Sequence, residues 1–116
     1  MTKEKAMTNG MIHNSIAANT RIVGVITAEN DFRVDGVIEG EIICQGKVIV
    51  GQTANVKGKL TCANAEIVGY IEGEITASEI LTLKSTAVVK GDLKVATLVV
   101  EPNAKFNGTC AMIEQG

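Results

Sequence analysis

The chain has 116 residues, which suits one domain with one core, but it holds only one Tyr, two Phe and no Trp. Val, Ile, Leu and Ala must therefore fill a narrow core, and the β-branched residues among them favour strands. The net charge of −2, from 11 basic and 13 acidic residues, argues against a nucleic-acid-binding protein, which needs a basic face.

Residues 1–18 are mostly polar and predict a flexible N-terminal tail. The first residues lack the apolar core of a secretory signal, and no run in the chain reaches the roughly 18 apolar residues of a membrane span. The three cysteines, an odd number, fit a reducing compartment. We therefore expect a cytoplasmic protein.

From residue 19 onward one pattern recurs: an apolar residue, any residue, Gly, any residue, and a second apolar residue. The central glycines of the six copies are Gly24, Gly40, Gly58, Gly73, Gly91 and Gly108, at intervals of 16, 18, 15, 18 and 17 residues. The flanking segments align as well, and the shorter copies lose about two residues in one turn. A repeat of this period indicates a stacked architecture.

Apolar residues alternate within every copy, as they do in a strand with one buried face. The position two before Gly holds Ile22, Ile38, Val56, Ile71, Val89 and Phe106, and the position two after holds Ile26, Ile42, Leu60, Ile75, Leu93 and Cys110. Because so short a unit cannot bury its own apolar face, the units must stack. We predict an all-β fold, a single-stranded β-helix or β-solenoid of about six rungs over residues 19–112, followed by a short tail, residues 113–116.

The position just before Gly predicts how the rungs are aligned. It reads Glu39, Lys57, Glu72 and Lys90 through the middle copies. Stacked strands lie about 4.8 Å apart, so these side chains would form a ladder of alternating charge that favours one register.

The two ends of such a rod carry unpaired strand edges that can pair with another chain. The first rung is apolar on both faces through Ile22, Val23, Val25 and Ile26, and the last offers Phe106 and Cys110. We therefore predict that the ends form a polymerisation interface, and that the protein is a homopolymer that needs no nucleotide.

A left-handed β-helix enzyme, a trimer of the hexapeptide acyltransferase type, remains the alternative because its coil has a similar length. Such enzymes need histidine as base or zinc ligand, whereas the only histidine here, His13, lies in the tail. Cys44 and Cys62 occupy the same inward position in successive copies. A disulfide or a metal bound by the pair is the alternative to a role as small core residues. Ala28 and Ala77 in the same position favour the core role. We expect no catalytic residues, cofactor, metal or small-molecule substrate.

Several segments resemble the bactofilin family. The run from Asn30 to Ile42, NDFRVDGVIEGEI, is similar to its core signature, and residues 83–87 and 106–110 resemble later segments. The resemblance spans about residues 16–112. It implies a right-handed β-helix of about six windings that polymerises without nucleotide into bacterial cytoskeletal filaments.

The same resemblance implies where the filament works. Bactofilins act as scaffolds in cell shape and in placing cell-wall or other envelope proteins, often at the inner face of the cytoplasmic membrane. Many members contact the membrane through a short apolar N-terminal motif, for which the candidates here are Met1, Lys3, Lys5, Met11 and Ile12. An aromatic residue near the last rung belongs to the family's polymer contact, and Phe106 occupies that position.

Overall fold

The computed structural model describes residues 14–113, and within this range all regular structure is strand. All the strand pairings are parallel, and they join the strands into one continuous sheet. The strands in chain order are β1 Asn14–Ile16, β2 Arg21–Ala28, β3 Phe32–Val34, β4 Val37–Cys44, β5 Lys47–Val50, β6 Asn55–Ile67, β7 Tyr70–Leu83, β8 Val88–Val100 and β9 Lys105–Met112.

The sheet winds into a β-solenoid whose rungs stack in two columns of strands. The glycine column consists of β2, β4, the first parts of β6, β7 and β8, and then β9. The second column consists of β1, β3, β5 and the last four residues of β6, β7 and β8. The long strands serve both columns because they continue round a corner, where the register shifts. The predicted solenoid of about six rungs is confirmed.

The glycines of the repeat lie directly above one another. Gly24 is the partner of Gly40, and the same pairing continues through Gly58, Gly73, Gly91 and Gly108. Each has a φ between +132° and +151°, which side-chain-bearing residues rarely adopt. A Cβ on any of the last five would overlap the carbonyl oxygen of the glycine one rung earlier. Only glycine therefore permits the close stacking of the rungs at this column.

The core is a narrow stack of aliphatic residues with little aromatic content. Both inward columns are closed to solvent in the middle rungs, as at Ile42, Leu60, Val50 and Leu83. Phe32 is the one aromatic residue in the buried core, and no buried residue of the described part of the chain is polar or charged. The aliphatic composition thus corresponds to a core that the inward side chains of the two columns fill almost without aromatic rings.

Turns between the columns explain the unequal repeat lengths. The long turns, such as Gly51–Ala54, hold four residues between strands, whereas Val68 and Gly69 alone connect the two columns one rung later. In the long turns a threonine hydroxyl donates to a carbonyl of the neighbouring short turn, from Thr53 to Asp35 and from Thr86 to Val68, at 2.7 Å each. The loss of two residues falls in the turn where the alignment of the copies places it.

The solenoid begins earlier than the sequence predicts. The predicted boundary between tail and solenoid lies at residue 19, whereas Asn14–Ile16 already pairs with Phe32–Val34, and Ile16 packs against the core. This short strand carries no glycine motif, so the repeat pattern does not reveal it. Residues 1–13 and 114–116 lie outside the described residues.

Candidate polymerisation surfaces

Both ends of the solenoid expose a strand edge. Among the described residues, β1 and β2 pair only with β3 and β4, at the N-terminal end, and β9 pairs only with β8 at the other. Their outer backbone N–H and C=O groups therefore face away from the stack. Free edges of this kind pair readily with a further strand.

The N-terminal end is a shallow apolar hollow. Ile16, Ile22 and Ile26 point along the core columns but are only half-buried, because no earlier rung among the described residues covers them. They line a cavity of about 260 Å³ together with Ser15, Thr27, Ala28 and Phe32. The hollow is the open mouth of the core.

The C-terminal end leaves the same inward positions uncovered. Val100 is 51% exposed, whereas Leu83, its partner one rung earlier, is 0% exposed. Met112 is 59% exposed against 0% for its partner Val95. Phe106 is half-buried on Val89, and Cys110 is exposed with its Sγ 4.0 Å from the Met112 Sδ. The apolar side chains of this last layer are thus exposed on the side where a further rung would cover them.

The outward positions beside the glycines differ between the end rungs and the middle rungs. In the first rung they are Val23, 71% exposed, and Val25, 66% exposed. In the last they are Asn107 and Thr109, whereas every rung between carries charges there. The end rungs are not free of charge, because Arg21 and Lys105 begin their strands. Only the positions directly beside the glycine are uncharged at both ends.

The predicted end residues therefore fall into two groups. Ile22, Ile26, Phe106 and Cys110 lie in the inward columns at the two ends, whereas Val23 and Val25 point sideways at the rim of the N-terminal end. Sequence reasoning missed the second column at each end. The residues there are Ile16 at one end and Leu98 and Val100 at the other. The alignment of residues 97–110 with residues 47–60 carries the signal, since Leu98 and Val100 match the core residues Val48 and Val50.

The structure places Glu39, Lys57, Glu72 and Lys90 in one column, each the register partner of the next. Within the described residues, however, no ion pair joins any two of them. Glu39 instead binds Arg21 at 2.6 Å, and Glu72 accepts a hydrogen bond from the Tyr70 hydroxyl at 2.8 Å. That hydrogen bond raises the pKa of the Tyr70 phenol. Lys90 lies 5.9 Å from the centre of the Tyr70 ring.

A second ladder of alternating charge, which the sequence analysis missed, does form ion pairs. Lys47 contacts Glu66 at 3.2 Å, Glu66 contacts Lys84 at 3.9 Å, and Lys84 contacts Glu101 at 3.2 Å. The hydrogen bond to Glu101, and then its charge, raise the pKa of Lys84. These contacts run diagonally across the second column and its turns, so a comparison of equivalent repeat positions does not align them.

Cys44 and Cys62 follow one another in the same inward column, and both are buried free thiols. Cys44 donates a hydrogen bond to the carbonyl of Asn30 at 3.1 Å. Burial, and to a lesser extent the neighbouring Cys44, raise the pKa of Cys62 to about 12. A thiol with so high a pKa is a poor nucleophile and metal ligand at neutral pH, so the geometry favours the core role for this pair.

The candidate membrane contacts Met1, Lys3, Lys5, Met11 and Ile12, and likewise His13, lie outside the described residues. Among residues 14–113, the structure contains no helix of the length and apolar character needed to cross a membrane. Within the same range no three Cys, His, Asp or Glu side chains come together in a group that could hold a metal ion.

Comparisons with known proteins agree with this architecture. Residues 14–111 match the family model "Bactofilin: Polymer-forming cytoskeletal". The fold is similar to a bactofilin of Thermus thermophilus, seen by cryo-EM in double helical filaments, with a TM-score of 0.80 and 28% identity over 86% of this chain and 99% of that one. It is also similar to the cytoskeletal bactofilin BacA, seen by solid-state NMR, with a TM-score of 0.81 and 28% identity over 90% of this chain and 100% of that one. No curated protein sequence matches this chain.

Proposed function

The chain belongs to the bactofilin family of polymer-forming cytoskeletal proteins, and we propose that it assembles end to end, without nucleotide, into filaments. The observation that supports the proposal is the pair of apolar solenoid ends, which no further rung of residues 14–113 covers. Val100 and Met112 are more than half exposed at positions whose equivalents one rung earlier are fully buried. Another subunit would restore that burial and pair the free strand edge at the same time.

The composition of the surfaces that would join supports assembly without a bound nucleotide. They consist of aliphatic side chains, Phe106 and backbone hydrogen-bonding groups. Burial of apolar area and strand pairing supply the free energy of such a contact directly. Assembly should then depend on protein concentration and only weakly on ionic strength, because salt screens charges and not apolar contacts.

In the cell, this filament would act as a scaffold that organises cell shape or localises envelope proteins at the inner face of the cytoplasmic membrane. The support for this role is the family to which the chain belongs. The unit that polymerises would be the solenoid, which the sequence places at residues 19–112 and whose first strand begins at Asn14. Met1, Lys3, Lys5, Met11 and Ile12 would supply the membrane contact, with apolar residues entering the bilayer and lysines binding anionic lipid.

Negative-stain electron microscopy and pelleting of the purified chain, in buffer treated to destroy nucleotides, test the assembly. We expect filaments that pellet equally with and without added nucleotide. Discrete monomers or trimers, or assembly only after nucleotide is added, would contradict the proposal. Flotation of vesicles that contain anionic lipid through a density gradient tests the membrane contact separately, because filaments alone do not float. A chain that begins at residue 14 should still form filaments but should no longer float with the vesicles.

A further inference from the structure

One side of the solenoid carries charges that are ordered along the whole rod. We call it the ladder face; it consists of the position before each glycine and the outward position two residues earlier. The first position reads Val23, Glu39, Lys57, Glu72, Lys90 and Asn107, and the second reads Arg21, Val37, Asn55, Tyr70, Val88 and Lys105.

The charges of the ladder face do not neutralise each other within the chain. In the second ladder, each of the four side chains is within 3.9 Å of an opposite charge of that ladder. Lys57, by contrast, is exposed and has no ion-pair or hydrogen-bond partner in the part of the chain that the structure describes. Among residues 14–113, Lys90 interacts only with the ring of Tyr70, 5.9 Å from its centre. The ammonium groups of this face can therefore receive carboxylates from another molecule.

The order of the charges determines which arrangement of two copies is attractive. From the first rung to the last the ladder reads neutral, negative, positive, negative, positive, neutral. Read backwards, every charge is replaced by its opposite. An antiparallel second copy therefore places Lys57 opposite Glu72 of the partner subunit and Glu39 opposite Lys90 of the partner subunit, each pair occurring twice. A parallel copy in register would place like charges together.

The flanking position fits the same alignment. Val37 would meet Val88 of the partner subunit, and Asn55 would meet Tyr70 of the partner subunit, so the middle of the contact is free of like charges. Arg21 would face Lys105 of the partner subunit at the edges. That repulsion is reduced because Arg21 already binds Glu39 at 2.6 Å.

From this symmetry we propose that the ladder face joins two filaments side by side, with their solenoids antiparallel. The proposal rests on the proposed end-to-end filament, because exposed ion pairs are weak singly and become effective when every subunit along a filament repeats them. A parallel copy shifted by one rung would join opposite charges at one rung fewer and is not a closed two-fold contact.

The outward position after each glycine lacks this symmetry and supplies a control. It reads Glu41, Lys59, Glu74 and Asp92 in the charged rungs. In the antiparallel alignment Glu41 would meet Asp92 of the partner subunit, and two carboxylates repel. Pairing through this position is therefore not expected.

The test compares Lys57→Glu with Lys59→Glu in filaments viewed by electron microscopy. Both substitutions change the net charge equally at an exposed site, and both place a new carboxylate between two others within the chain. In about 20 mM salt, where screening is weak, wild-type and Lys59→Glu filaments should be paired, and Lys57→Glu filaments single; in about 500 mM salt all should be single.

The orientation is tested by mixing Glu39→Cys subunits with Lys90→Cys subunits, assembling them at low salt, oxidising mildly and mapping the disulfide-linked peptides. The antiparallel contact predicts links between positions 39 and 90 of different subunits. Links of 39 to 39 and 90 to 90 would indicate a parallel contact and overturn the proposal. Wild-type filaments that stay single at low salt, or pairing that Lys57→Glu leaves intact, would overturn it while the end-to-end filament stands. Absence of any filament would overturn both.

Discussion

The carbonyl oxygen of Gly24 occupies the space that a Cβ on Gly40 would need. The same contact recurs at each later glycine of the column, up to Gly108 on Gly91. On the outer side of Gly24, by contrast, nothing lies within 4 Å of the corresponding position. The contact that stacks rung on rung within the chain is therefore left open at the N-terminal end.

The glycine column predicts different outcomes for Gly58→Ala and Gly24→Ala. The two sites have nearly the same φ, +133° and +139°, so an alanine adds a similar backbone strain, about 1–3 kcal/mol, at each. Only Gly58→Ala adds an overlap with the backbone of the neighbouring rung. We expect Gly58→Ala to lose the fold and Gly24→Ala to remain folded, as followed by thermal unfolding with circular dichroism.

The same pair also tests the N-terminal end as an interface. The new methyl group of Gly24→Ala would point towards the incoming subunit, so the folded variant should form only short oligomers by electron microscopy. Equal destabilisation of the two variants would contradict the account of the column. Normal filaments from Gly24→Ala would argue against close stacking at this end.

Leu83 and Val100 lie in the same inward column, but substitutions there should affect stability and assembly differently. Leu83 is fully buried, and Leu83→Ala should lower the free energy of unfolding by about 2–5 kcal/mol. Val100 is its partner one rung later but is half exposed, so Val100→Ala should cost the isolated subunit less than about 1 kcal/mol. Because Val100 would be covered in the filament, its truncation should raise the protein concentration at which filaments pellet.

Urea unfolding and pelleting of the two variants give the measurement. A Val100→Ala chain that is unchanged in assembly would remove this residue from the interface. A loss of stability as large as that of Leu83→Ala would show that Val100 is already covered within the subunit.

The cysteines predict a reactivity pattern that reports assembly. Burial raises the pKa of Cys62 from 9.0 to about 12, so this thiol stays protonated and inaccessible at pH 8. Cys110 is exposed at the C-terminal end. In unassembled subunits iodoacetamide should therefore modify Cys110 alone, and filament formation should slow that reaction. Peptide mass mapping distinguishes the sites, and rapid labelling of Cys110 within filaments would contradict end-to-end contact there.

The raised pKa of Cys62 also predicts that its contribution to the stability of the fold decreases at alkaline pH. The folded state favours the neutral thiol, so its contribution to stability is complete below the unfolded pKa of about 9 and decreases as the pH rises towards about 12. Cys62→Ala should remove this contribution. The pH dependence of the unfolding midpoint above pH 9 should then be shallower in the variant than in the wild-type chain.

Much of the fold can be predicted from the sequence because the repeat consists of residues whose roles depend on local backbone conformation and side-chain direction. A glycine with positive φ and two flanking aliphatic residues define the register of each rung, as Ile38, Gly40 and Ile42 do. The second column was harder to predict, because β1 and β3 are only three residues long and carry no glycine. Leu98 and Val100 lie in this column at the C-terminal end, and only the alignment of residues 97–110 with residues 47–60 indicates their inward position.

The backbone register does not determine which charged side chains pair. Glu39 is the register partner of Val23 and of Lys57, yet its carboxylate binds Arg21, two residues before Val23. The Glu66–Lys84 contact crosses from a strand to a turn of the next rung. Long charged side chains reach several positions at similar energy, so their choice depends on corner geometry that a repeat alignment does not contain.

The most direct measurement of the central claim is electron microscopy of Phe106→Arg beside Asn107→Arg. The two residues are adjacent in β9, but Phe106 packs against the core at the C-terminal end, whereas Asn107 points sideways into solvent. A guanidinium at position 106 would be buried without a partner between stacked ends, which is strongly unfavourable. We predict filaments from the wild-type chain and from Asn107→Arg, and folded subunits without filaments from Phe106→Arg. Filaments from Phe106→Arg, or compact particles from all three chains, would contradict end-to-end assembly through this surface.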